Sequence, residues 1–174
     1  MRTFGSLLAL SVLLLCLAPP AHAADHLDTI VTRLRPLEEV PAISGFANAR
    51  FSATVSEDGS SISYTMSYSN LQGNITQSHI HIGQRGVNGG VVLFFCSNLG
   101  NGPAGTQTCP PSPGTISGTL TAANIVPVNQ QGIAPGDFHE ILRAIKAGVA
   151  YANIHTDQFP GGELRGQLVL NSDE

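Results

Sequence analysis

The sequence predicts a mainly β fold: an antiparallel β-sandwich or flattened Greek-key-like barrel of about eight strands with one short α-helix. Three observations predict it. Two neighbouring segments alternate apolar and polar residues with period two. Glycine and proline, 19 and 11 in number, punctuate nearly every junction between such segments. Only one stretch of the chain beyond the first 23 residues carries a helical apolar stripe.

Taken in order, the chain opens on an export signal at residues 1–23. Arg2 supplies the positive start, Leu7 to Ala18 form an apolar run, Pro19 and Pro20 break it, and Ala21-His22-Ala23 offers small residues at the positions signal peptidase reads. The apolar run is too short to span a bilayer as a helix. Cleavage is expected after Ala23, so the mature chain is expected to be secreted, extracellular or periplasmic. Cys16 does not make a lipobox, because Leu15 precedes it where a small residue is needed. An N-terminal tail is assigned to 24–33, the folded domain to 34–170 and a C-terminal tail to 171–174.

Within the domain, residues 30–40 read as a first strand. From Gly45 to Ser56, Ala47, Ala49, Phe51, Ala53 and Val55 alternate with Asn48, Arg50, Ser52 and Thr54. Glu57-Asp58-Gly59 makes a turn, and Ile62, Tyr64, Met66 and Tyr68 then alternate with serines and a threonine. Two such runs joined by a short Asp-Gly turn predict a β-hairpin. Further strands are predicted at 75–83, 90–97, 114–121, 149–156 and 163–171. A helix is predicted from Asp137 to Ala147. Asp137 is its N-cap, with Glu140 completing a capping box. Phe138, Ile141, Leu142 and Ile145 form the apolar stripe, and Gly148 sits at the C-terminal end.

Without Arg2 the chain carries 7 basic against 12 acidic residues, a formal net charge of −5. Lys146 is its single lysine, and there is no basic stripe, which argues against nucleic acid as a partner. No later segment is long and apolar enough for a helical membrane span. Past the signal only Cys96 and Cys109 remain. In an oxidising compartment this pair predicts a disulfide closing the Gly- and Pro-rich loop between them.

Candidate chemistry gathers on three histidines. In Ser78-His79-Ile80-His81-Ile82, His79 and His81 are two apart and share one strand face. In Tyr151-Ala152-Asn153-Ile154-His155, Ala152 and Ile154 form the apolar side, leaving His155 on the face of Asn153 and Tyr151. These rings are expected to line one site on the outer surface of a sheet, roofed by loops 83–90 and 157–162. Three imidazoles suit copper, with zinc the weaker candidate. The alternative is that each ring only hydrogen-bonds loop backbone and holds the loops down. Asn153, Glu163 and Arg165 are expected around the histidines. Glu163, Arg165 and Gln167 share a strand face, and Arg165 is expected to pair with Glu163 or Asp157, or to meet an anionic ligand.

A second copper motif is separate from these. Cleavage after Ala23 exposes Ala24-Asp25-His26, whose terminal amine, amides and imidazole form the square-planar nitrogen set that Cu(II) and Ni(II) prefer. Asn74-Ile75-Thr76 fits a glycosylation acceptor. No nucleophile elbow, phosphate loop or dinucleotide fingerprint is present, and no catalytic residue is assigned.

These blocks together resemble the chordin domain (CHRD) family from about Leu34 to Leu168. The resemblance rests on Glu39-Val40-Pro41 and on Asp58-Gly59 with the tyrosine-containing strand after it. It continues through Ser78-His79-Ile80-His81-Ile82-Gly83 with Gly86, Asn88 and Gly89, and Gly118-Thr119-Leu120-Thr121-Ala122. It ends on Tyr151-Ala152-Asn153-Ile154-His155-Thr156 with Pro160-Gly161-Gly162-Glu163-Leu164-Arg165-Gly166-Gln167. Ser78 stands where the family usually has alanine, and the loop between Cys96 and Cys109 looks like a local elaboration. The resemblance implies an extracellular β domain that binds rather than turns over, and it leaves the ligand open. His-x-His with a later strand histidine is also similar to the copper site of copper–zinc superoxide dismutases. The further ligands those enzymes need have no match here. The reading is therefore a secreted, non-catalytic binding module with a candidate surface copper site. The alternative is a protein- or matrix-interaction module with purely structural histidines, and a metalloenzyme is the remote one.

Overall fold

The computed structural model describes residues 28–171. The signal segment, Ala24-Asp25-His26 and residues 172–174 lie outside the described residues. Strand β1 runs Thr29–Leu34, ahead of the Leu34 at which the domain was expected to start. It stops where Pro36, which has no N–H to give a ladder, opens a short 3₁₀ turn over Pro36–Glu38. A covering segment then leads to β2, Asn48–Val55, and β3, Ser61–Ser69. These form the predicted hairpin, in register from Val55↔Ile62 to Asn48↔Ser69. Its turn is held by Asp58, whose Oδ1 accepts the Ser60 N–H at 3.0 Å, while Gly59 takes φ +65°.

Strand β4 is Ile75–Ile82, β5 Val91–Ser97, β6 Gly114–Thr121, β7 Ala150–Thr156, β8 Leu164–Leu168 and β9 Leu170–Asn171. They build two antiparallel sheets, ordered β6-β3-β2-β1-β9 and β5-β4-β7-β8. The predicted strand at 163–171 is two strands, which makes nine among the described residues. Leu164, Leu168 and Leu170 keep one alternation while the chain passes from the second sheet to the first at Val169. Along that side Arg35 and Arg165 bridge the sheets through backbone hydrogen bonds of 2.9 and 3.3 Å. The molecule is therefore a sandwich closed along one edge.

The core lies between the sheets. Phe51, Tyr64 and Phe95 form its aromatic centre, with Tyr64 and Phe95 centroids 4.7 Å apart. Ile30, Leu34, Ile62, Met66, Ile80, Leu93, Ile154 and Leu164 pack around them, each fully buried. Tyr64 keeps its hydroxyl satisfied by donating to the Phe95 carbonyl at 3.1 Å. Helix α1, Phe138–Lys146, starts at Asp137, whose side chain accepts the Glu140 N–H. It buries the predicted stripe of Phe138, Ile141, Leu142 and Ile145 at the end of the sandwich, beside the β2–β3 turn. Cys96 and Cys109 are joined by the predicted disulfide, which pins the long loop between β5 and β6. On the loop-entropy model this contributes about 3 kcal/mol.

Candidate metal centre

Alternation places Ile80, Ala152, Ile154, Leu164 and Leu168 of the second sheet against the core. It turns His79, His81, Tyr151, Asn153, His155, Arg165 and Gln167 to the opposite face. The ladders then set neighbours: His79 pairs with Asn153 and Asn153 with Arg165, while His81 pairs with Tyr151 and Tyr151 with Gln167. His155 pairs with Gln77, one step diagonal to His79. The sheet order puts β4 directly beside β7, so all three histidines meet. Ring centroids are 4.9 Å apart for His79 and His155, 5.3 Å for His79 and His81, and 6.0 Å for His81 and His155. One ring nitrogen from each lies within 4.8 Å of the others.

The expectation of a surface site is corrected. The rings of His79, His81 and His155 face outward from their sheet, yet the residues are only 2 %, 7 % and 7 % exposed. Loops 83–90 and 157–162 do roof them, and the segment after β1 closes the rest. His81 Nδ1 meets the Gly89 carbonyl at 3.0 Å and His155 Nδ1 meets the Pro160 carbonyl at 2.9 Å. A carbonyl only accepts, so both rings carry their proton on Nδ1 and turn an unprotonated Nε2 inward. His79 makes no hydrogen bond and stands edge-on to Phe94, 4.4 Å between centroids. Among the described residues, the buried side-chain polar atoms without a partner are His79 Nδ1 and Nε2, His81 Nε2 and His155 Nε2. Native interiors rarely leave such groups unpaired, and here they belong to three rings that each bring one nitrogen within 4.8 Å of the others.

Around the triad is a polar layer that holds the roof down. The Arg165 guanidinium lies 3.5 Å over the Tyr151 ring, which stacks in turn on His81 at 4.7 Å and 6°. Arg165 donates to Asn88 Oδ1 at 3.1 Å and to the Gln84 and Val87 carbonyls at 2.9 and 2.8 Å. This corrects the expected pairing with Glu163 or Asp157. Glu163 accepts instead from the Gln72 N–H and the Thr156 hydroxyl, and Asp157 from Asn74. Asn74 of the glycosylation motif is exposed and donates its side-chain amide to Asp157 at 2.8 Å.

Sequence reasoning gave Glu39 no role, although Glu39-Val40-Pro41 belongs to the blocks it singled out. Glu39 reaches in from the covering segment, is buried, accepts from the Asn153 amide and lies in the field of Arg165. Gly162 makes room for this contact. With φ +127°, it brings its backbone so close that a Cβ would sit 2.7 Å from both Asn153 Nδ2 and Glu39 Oε1.

Burial sets the protonation states. It pushes His79 down to about 2, helped by the charge His155 and His81 would add, and His81 down to about 4, helped by His155 and Arg165 against the bond to Gly89. Burial also lowers His155, against the opposing bond to Pro160. Glu39 is raised to about 7 by burial, despite Arg165 and Asn153. The unfolded chain therefore takes up the histidine protons first, and acid weakens the fold as pH drops below the unfolded imidazole value of 6.5. Glu39 acts in the opposite sense: its proton stabilises the fold fully below 4.5, and that stabilisation is lost as pH rises through about 7. Three lowered histidines outweigh one raised carboxyl, so the melting temperature is expected to fall as pH drops from 6.5 to 4.5, with net proton uptake on unfolding. Melting curves of metal-free protein across that range check it. A melt that stays flat or rises on acidification contradicts neutral buried imidazoles.

Three imidazoles with inward lone pairs can hold one metal ion. Nitrogens bound at about 2.0–2.1 Å to one ion lie roughly 3.4 Å apart, so capture would draw these rings inward by about 1 Å. Among the described residues, no helix is long and apolar enough to cross a membrane. No curated protein and no solved structure matches the chain. The family model described as the CHRD domain matches residues 30–168, from the first strand through β8. That span takes in both histidine strands, Glu39 and Arg165, and the chain belongs to the CHRD-domain family.

Proposed function

We propose that this chain is a secreted, non-catalytic CHRD binding module whose histidine cluster takes a transition metal, with copper preferred to zinc. The observation that carries the reading is the set of unpaired, buried nitrogens on His79, His81 and His155, with one ring nitrogen of each within 4.8 Å of the others. A buried polar atom without a partner costs about 1–3 kcal/mol, and a metal ion would satisfy one nitrogen from each ring at once. Imidazole suits copper in either oxidation state, and the order that ranks copper above zinc for nitrogen donors holds for the divalent ions. The disulfide and the signal-like N-terminal segment support export.

A second reading has its own observation. The bonds from His81 to Gly89 and from His155 to Pro160 would also serve a protein- or matrix-interaction module, holding its loops in place. The two readings part on a copper titration of the mature protein followed by melting, with His26→Ala background to remove the N-terminal motif. A metal site gives one copper per chain and a higher melting temperature. At free copper 1,000 times the dissociation constant the gain is about 4 kcal/mol, and it disappears in His81→Ala and His155→Ala. Substitutions that lower the melt equally with and without copper, and no copper bound to the parent, leave the interaction reading.

A further inference from the structure

Resting on that metal reading, we infer that the site is built for cuprous copper, Cu(I), rather than for a divalent ion. The donor set is the first reason. Among the described residues, the only group of three or more candidate ligands is His79, His81 and His155, neutral imidazoles that bring no carboxylate charge to balance a divalent ion. The nearby carboxylates are occupied elsewhere: Glu39 accepts from Asn153, and Glu163 from Gln72 and Thr156.

Charge is the second reason. The three ligand residues are at most 7 % exposed, and the cost of desolvating an ion rises with the square of its charge. Arg165 lies behind Tyr151, roughly 8 Å from the His81 ring along the stack. Glu39 can offset that guanidinium, but it brings no second negative charge for an incoming cation. A monovalent ion therefore leaves one unit of charge in the enclosure, and a divalent ion leaves two.

Coordination number is the third. Cu(II) prefers a tetragonal set of at least four donors. Among the described residues, the buried unpaired side-chain polar atoms all belong to the triad. The Phe94 ring stands against His79, and the Tyr151 ring covers a face of His81. Three rings without a fourth protein donor among the described residues disfavour tetragonal Cu(II); Zn(II) shares the filled d shell, so against zinc the charge argument decides.

The test uses the full mature chain carrying His26→Ala. Cu(I) affinity is measured anaerobically against a colorimetric cuprous chelator, Zn(II) affinity against a zinc chelator, and Cu(II) by electron paramagnetic resonance. The expected result is Cu(I) bound one to one and more tightly than Zn(II), by up to about 30-fold where Glu39 leaves the guanidinium unbalanced. That factor is what one extra unit of charge costs at ~8 Å from a guanidinium at an effective dielectric of ~20. No tetragonal Cu(II) signal should depend on His79. Zn(II) bound as tightly as Cu(I), or a tetragonal Cu(II) signal that His79→Leu abolishes, overturns the cuprous assignment while leaving a metal site in place. Failure to bind any of the three ions overturns both.

Discussion

Arg165→Met is expected to destabilise the protein by about 1.5–3 kcal/mol, the usual worth of hydrogen bonds made by a charged donor. Arg165 is 2 % exposed, and three of its guanidinium N–H groups donate to the 83–90 loop. Without it the Gln84 and Val87 carbonyls and Asn88 Oδ1 lose their donor together, so the 83–90 roof loses its anchor. Glu39 would remain buried without its countercharge, and Tyr151 would lose the cation over its ring. Methionine has similar length and no polar atom to bury, so lost packing contributes little. Arg165→Lys is expected to recover less than half of the loss, because an ammonium cannot reproduce the planar fork. Denaturant melts of the three proteins measure this directly. A loss below about 1 kcal/mol for Arg165→Met contradicts the anchoring role.

His79→Leu is expected to act in the opposite direction. In the metal-free protein it removes two buried nitrogens that have no partner and places an apolar side chain of comparable size against Phe94. The expected gain is about 1–3 kcal/mol, and the same substitution should abolish stabilisation by copper. A residue whose replacement strengthens the empty fold and ends metal binding is kept for its ligand, at a cost in stability. His81→Leu and His155→Leu should gain less or lose, because each also breaks a bond to a roof carbonyl. If His79→Leu instead weakens the metal-free protein, the imidazole has a structural role and the metal reading loses its main support.

The strands and the hairpin were legible because one-sided burial writes itself into period two. Val55 to Ala47 and Ile62 to Tyr68 announce their inward faces directly. The same rule placed His79, His81 and His155 away from the core. It could not place β4 beside β7, since strand order depends on where the chain crosses over, and no residue pattern encodes that. Burial of the triad was hidden for a related reason. The roof loops 83–90 and 157–162 follow the histidine strands directly and were legible, but Glu39 comes from a segment more than a hundred positions before His155. Arg165 was read as a partner for Glu163 or Asp157 because charges suggest charges. Its hydrogen-bond acceptors are chiefly backbone carbonyls, which leave no signature in residue type. The ninth strand was missed because the alternation runs on through Leu168 and Leu170 while the chain changes sheet.

X-ray absorption at the copper edge, on the one-to-one complex of the His26→Ala chain, tests the metal centre most directly. A buried centre built by His79, His81 and His155 gives three imidazole nitrogens at about 2.0 Å and loses that signature in His79→Leu. Copper that washes away on dialysis, or a bound ion whose scattering is unchanged by His79→Leu, contradicts a metal site at these three residues.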